Sequence, residues 1–260
     1  MIKLNGVIIE QNSFPDGTLL MKADTESRLN TIEWKYESDS ELFAVYCLKR
    51  HLDEMCTQAQ TRLVMHYIPN ARQDRVKCAE DIFTLKYFSE IINSLKFEFV
   101  EVLDPHSPVS EALINNIIVN TPKVYIREAY ERCDPDILFY PDEGSMKRYS
   151  EYYHVEYAFG IKKRNWATGK IQGLELMNKE LVKGSNVLIV DDICSRGGTF
   201  YYSAKELKEA GANKIYLYVT HCENTILEGE VLTSGLIEKV YTTNSIFTKE
   251  HEKIEVLDIC

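Results

Sequence analysis

The sequence predicts an α/β protein of two tandem units, each a mostly parallel sheet flanked by helices. Short apolar runs of strand length alternate with stretches whose apolar residues recur at helical spacing, the rhythm of βαβ units. That rhythm is played twice, and 260 residues suffice for one large core or two modest ones.

Taken in order, MIKLNGVIIEQNSF reads as a first strand, with neither the basic start nor the long apolar stretch of a signal peptide. TRLVMHYIP reads as a strand, DIFTLKYFSEIINSLK as an amphipathic helix, and FEFVEVLD as the next strand. The second half repeats the pattern with DILFYPD, a helical segment after GSMKRY, NVLIVDD, the helix FYYSAKELKEAG, KIYLYVTH and KVYTTNSI. Gly211 stands where a helix C-cap is expected. The change of rhythm and an extended residue before proline set a boundary near Thr121-Pro122. This gives an N-terminal unit at 1–121 and a C-terminal unit at 122–246, with 247–260 expected to return to the first.

Composition narrows the function classes. A formal net charge of -10 argues against a nucleic-acid or membrane-surface binder, since either needs a cationic face. Seven cysteines, an odd number without a C-x-x-C pair, suit reduced thiols in a cytoplasm rather than zinc or a disulfide framework. No apolar run approaches the roughly 18 residues of a membrane-spanning helix. A polyanionic substrate would therefore have to be gripped by local devices.

NVLIVDDICSRGGTF supplies such a device. A buried parallel strand would deliver Asp191 and Asp192 to its carboxyl end, where open α/β sheets bind ligands. Ser195, Arg196, Gly197, Gly198 and Thr199 then lead into a helix, so free amides and the helix dipole converge on one anion. Paired carboxylates beside a phosphate cradle suit a phosphorylated ribose, the carboxylates accepting from its 2- and 3-hydroxyls. The competing account is a plain turn in which the aspartates only cap the next helix.

VLIVDDICSRGGTF resembles the phosphoribosyl-diphosphate signature of type I phosphoribosyltransferases and of ribose-phosphate diphosphokinases, also called phosphoribosyl-diphosphate synthetases. Other segments resemble the second group: YIPNARQDR (67–75) its ATP-binding segment, LDPH (103–106) its strand-end histidine motif, YPDEGSMKR (140–148) its metal and ribose motif, and GIKKR (160–164) its lysine-arginine loop. THCENTILEG and TTNSI follow in the family's order, so the resemblance spans nearly the whole chain. It implies two phosphoribosyltransferase-like domains, ATP held mainly by the first and ribose phosphate by the second.

The resemblance implies a Mg²⁺-dependent enzyme that moves the β,γ-diphosphate of ATP onto the anomeric 1-hydroxyl of a 5-phosphorylated ribose and releases AMP. Lys162 and Arg164 are then the catalytic cations, His106 and Asp142 help hold Mg²⁺-ATP, and Phe14, Asp16, Arg72, Gln73 and Asp74 contact ATP. Alternation along an extended loop would point Lys162 and Arg164 the same way. Phe14 and Asp16 match a segment that in the family reaches a neighbouring subunit, so a homo-oligomer is expected. The partners implied are small molecules.

The match departs in three places. Thr18 stands where the family commonly has Glu, which loosens adenine selectivity. Ser195-Arg196 replaces the usual Asp-Thr, which adds about two units of positive charge beside the phosphate if both groups are ionised. Arg196 either grips a larger acceptor such as ADP-ribose, giving ADP-ribose 1-diphosphate in NAD metabolism, or points to solvent. The chain also stops at EVLDIC where relatives usually continue, so hexamer formation and ADP inhibition do not carry over. A non-catalytic relative, expected to have lost the residues matched by Lys162, Arg164, His106 and Asp142, and a phosphoribosyltransferase acting on a base, separated from a diphosphokinase by AMP release, are the other classes. Lys162→Ala is expected to lower turnover by orders of magnitude with an unchanged circular dichroism spectrum; unaltered turnover would contradict the assigned role.

Overall fold

The computed structural model describes residues 1–24, 27–164 and 171–259, with the side chains of 162–164 and 171–174 left undescribed. Two compact units, Met1–Thr121 and Pro122–Cys260, divide the chain.

The first unit runs β1 (Ile2–Leu4), β2 (Val7–Ile9), β3 (Asn12–Ser13), β4 (Leu19–Leu20), β5 (Leu29–Trp34), α1 (Ser40–Met55), β6 (Gln60–Val64), α2 (Thr84–Ser94), β7 (Val100–Leu103), α3 (Val109–Leu113) and β8 (Ile117–Asn120). Its six-stranded sheet has the order β2-β1-β5-β6-β7-β8. From β5 to β8 neighbouring strands are parallel, while β1 pairs antiparallel with β2 and β5. The opening segment is therefore a hairpin rather than one strand. Asn5 and Gly6 both adopt positive φ, the conformation of a two-residue turn whose twist matches its strands. Trp34, Leu48, Leu63, Met65, Phe88 and Ile92 build this unit's core.

The second unit runs α4 (Lys123–Cys133), β9 (Ile137–Tyr140), α5 (Glu143–Tyr149), β10 (Tyr157–Arg164), β11 (Ile171–Met177), β12 (Val187–Cys194), α6 (Gly198–Glu209), β13 (Ile215–Cys222), β14 (Lys239–Thr243) and β15 (Ile254–Leu257). Its seven strands lie in the order β11-β10-β9-β12-β13-β14-β15, parallel except for β11 at one edge. The helix expected after GSMKRY lies on that segment itself, because Asp142 caps it one residue earlier. The expected return of 247–260 to the first unit is corrected. Val240 through Thr243 pair in register with Ile254 through Leu257, so the last strand closes the second sheet.

Alternation along β12 sends Val187 and Ile189 into one core, with Phe200, Leu207 and Val219, and Leu188 and Val190 into another, with Tyr140, Tyr149 and Tyr218. All four are fully buried, so the strand's position is fixed from both faces and its last residues are placed with it.

Candidate active site

Beyond Val190 the strand carries Asp191 and Asp192. Asp192, of Val190's parity, meets α5: Arg148 Nη1 donates to its Oδ2 at 3.3 Å. Asp191 stands directly before it on β12. Burial, then the negative charges of Asp192 and Asp142, push its carboxyl well above the usual range. Three carboxylates thus share one electrostatic neighbourhood at the carboxyl end of the parallel strands.

The loop behind them leads into α6. Gly197 stands at the N-cap with φ +77°, and no side chain caps the helix. Gly198 and Thr199 in the first turn are exposed, and a Cβ on Gly198 would meet open space. The first amides of a twelve-residue helix therefore face outward with the positive end of its dipole, an arrangement suited to an anion. The other side of the loop is tightly braced. A Cβ on Gly197 would lie 2.2 Å from Val231 Cγ2, and one on Gly229 would lie 1.8 Å from the carbonyl oxygen of Arg196. Glu223 N also donates to Cys194 O at 2.8 Å. Beneath the loop the buried thiols of Cys194 and Cys222 sit side by side in register, and their contact and burial push the Cys194 thiol up.

Arg196 is exposed but paired, and does not cap the helix. Its Nε and Nη2 both donate to Glu228 Oε2, at 3.2 and 2.9 Å. Glu228 went unnoticed in THCENTILEG, and Arg148 at the end of YPDEGSMKR; an acid and a base at long sequence separation leave no periodic signal that would pair them.

Asp142 is also a structural residue, since its Oδ1 accepts from Gly144 N at 3.0 Å and Ser145 N at 3.1 Å. Lys162 and Arg164 fall on β10, a strand paired antiparallel with β11 rather than a loop. The register shifts between Lys163 and Arg164, where Gln172 of β11 is passed over in the pairing. The side chains of Lys162 and Arg164 lie outside the described residues.

In the first unit, two distant segments meet. Ser107, which follows His106, donates to Asp74 Oδ2 at 2.6 Å, and Arg75 donates to both oxygens of the same carboxylate at 2.6 and 2.8 Å. Arg75 and Ser107 together hold the Asp74 carboxyl far below its usual range. Gln73 accepts from Thr84 Oγ1 at 3.0 Å, tying the ARQDR segment to the start of α2. Arg72 is exposed. Phe14 and Asp16 belong to the β3–β4 hairpin, Phe14 half-exposed and Asp16 accepting from the N–H and hydroxyl of Thr18, which lower its carboxyl.

The carboxylates Asp142, Asp191 and Asp192 offer the hard oxygen donors that Mg²⁺ prefers, and their mutual repulsion fits a cation among them. Among the described residues no three His, Cys, Asp or Glu side chains are gathered as a metal cage. A cation here would retain water or substrate oxygens. His106, in the first unit, is not brought into any such group among these residues.

The carboxylate pair, the open helix start and the parallel sheet define a protein of the phosphoribosyltransferase fold. Residues 150–234 match the phosphoribosyl transferase domain family. A ribose-phosphate pyrophosphokinase of Pyrococcus abyssi is 28% identical over 98% of this chain and 89% of its own length. That of Thermococcus kodakarensis is 28% identical over 92% and 86%. The phosphoribosylpyrophosphate synthetase of Mycobacterium smegmatis shares the fold with a TM-score of 0.78, at 18% identity over 96% of this chain and 86% of that one. The chain is similar to ribose-phosphate pyrophosphokinases over nearly its whole length and shares the fold of a phosphoribosylpyrophosphate synthetase. Among the described residues no helix is long and apolar enough to cross a membrane.

Two outcomes follow from the site's geometry. Gly197→Ala adds a methyl into Val231 at a positive φ, and is expected to destabilise the protein by roughly 1–3 kcal/mol. Val231→Ala in that background should recover part of the loss, and a Gly197→Ala protein that melts like the parent would refute the brace. Asp191→Asn concerns sign. A carboxyl raised in the folded state binds its proton more tightly there than when unfolded, so once ionised it costs stability. The Asn variant is expected to melt higher than the parent at pH 7, with the gap closing as pH falls and Asp191 takes its proton. An equal or lower melting temperature at pH 7 would contradict this.

Proposed function

We propose that the protein transfers the β,γ-diphosphate of Mg²⁺-ATP to the anomeric 1-hydroxyl of a 5-phosphorylated ribose, releasing AMP. The observation that carries this reading is the Asp191-Asp192 pair near the end of β12, shortly ahead of the start of α6, which no side chain caps. The names of the relatives support it. The amides of Gly197, Gly198 and Thr199, with Ser195 beside them, take the 5-phosphate, while Asp191 and Asp192 accept from the ribose hydroxyls and orient the sugar. Arg148 holds Asp192 in place.

Asp142, with Asp191 and Asp192 near it, would hold Mg²⁺ on its substrate oxygens, and His106 would assist from the nucleotide side. When bound, the ion supplies charge neutralisation to phosphates that otherwise repel an attacking oxygen. In this reading Arg72, Gln73 and Asp74 hold ATP, Asp74 stiffened by Arg75 and Ser107. Lys162 and Arg164 stabilise the transferring diphosphate. Phe14 and Asp16, on their exposed hairpin, contact adenine in a second copy of the chain.

A guanidinium on the phosphate loop favours one variant of this reading, in which the acceptor is ADP-ribose and Arg196 meets its diphosphate. Purified protein with Mg²⁺-ATP is tested separately with ribose 5-phosphate and with ADP-ribose, following AMP. Release with ribose 5-phosphate is expected. Turnover of that acceptor alone removes the larger one, turnover of ADP-ribose alone replaces it, and no AMP with either overturns diphosphotransfer.

A further inference from the structure

The Arg196–Glu228 pair has an unusual combination of properties. The backbone of Arg196 is immobilised, because Gly229 packs against its carbonyl so closely that no side chain fits between them. That same contact places Glu228, the residue before Gly229, within reach of the guanidinium. The side chains themselves stay in solvent, with 72% of the Arg196 and 57% of the Glu228 side chain exposed. Exposed ion pairs contribute little to stability, so this one is easily exchanged. Its geometry is also second best. Both guanidinium nitrogens converge on a single oxygen, Oε2, whereas a phosphate offers two oxygens to the two parallel N–H groups of the fork.

We infer that Glu228 is a specificity-determining residue of the acceptor site, competing with the acceptor's phosphate for the guanidinium of Arg196. The inference rests on the function proposed above and deepens it. Two consequences distinguish it from a structural role for the pair. A monoester, already seated on the amides of α6, gains little from taking Arg196 away from Glu228. A diphosphate ester, with a second phosphate beyond the cradle, gains more. Glu228 thereby tunes the preference between the two acceptor classes, as well as the affinity for either.

The test compares the parent, Glu228→Gln, Arg196→Ala and the double variant, measuring KM and kcat for ribose 5-phosphate and ADP-ribose by AMP release. Glu228→Gln keeps the shape of the side chain and removes its charge. It is expected to lower the acceptor KM by about 3- to 10-fold with little change in kcat, more for ADP-ribose than for ribose 5-phosphate. In the Arg196→Ala background the same change should have no effect. A KM that is unchanged or raised, or an equal effect without Arg196, overturns the inference while leaving diphosphotransfer intact. Glu228→Asp, which retracts the carboxylate by one methylene, should move KM in the same direction and serves if the Gln variant folds poorly. If no protein releases AMP, diphosphotransfer itself fails, and calorimetry with ADP-ribose still decides the pair: tighter binding by Glu228→Gln supports it and equal binding overturns it.

Discussion

Asp191 is held beside two other carboxylates at the end of a strand that is locked in place by four fully buried residues. The strand cannot retreat, because its two faces belong to two different cores. The negative charge therefore stays concentrated at one point, and much of the surrounding architecture responds to it. Arg148 of α5 answers Asp192 from one face. Asp191 has its carboxyl raised, a state that a hydroxyl donor or a cation would relieve.

A sugar phosphate approaching a protein of net charge -10, as the proposed function has it, meets a repulsion that a local attraction must offset. On that reading the attraction comes from the backbone. Amides at the start of a helix carry partial positive charge without a titratable group, so they remain beside three aspartates without neutralising them. The rigid side of the loop makes this effective: Val231 and Gly229 fill the space that side chains at 197 and 229 would need, and the amides are fixed in position. In the first unit a different solution serves. Asp74 is clamped by Arg75 and Ser107, which joins two segments over thirty residues apart in sequence into one surface.

Much of this was legible in the sequence because it is local. The run VLIVDD announces a strand buried on both faces and its acidic end, and the glycines after it announce the turn. The strands around it followed from their apolar runs. What escaped was non-local or short. The Asn5-Gly6 hairpin was read as one strand because its arms are only three residues each. The β10–β11 pair was read as a charged loop, since KKR gives no apolar alternation. β15 was sent to the wrong unit because sheet membership depends on pairing partners, which composition does not reveal. Arg196 was recognised as a departure, but its partner Glu228 was not, because the contact is created by the close approach of Gly229.

The bare start of α6 has one further consequence. A serine or aspartate at that position would tether the first amides from within and make the helix more robust on its own. Glycine leaves that stabilisation unclaimed, and its left-handed backbone excludes the usual replacements. An anion docked there, as the proposed function has it, would supply that stiffening, so that occupancy and local order would rise together.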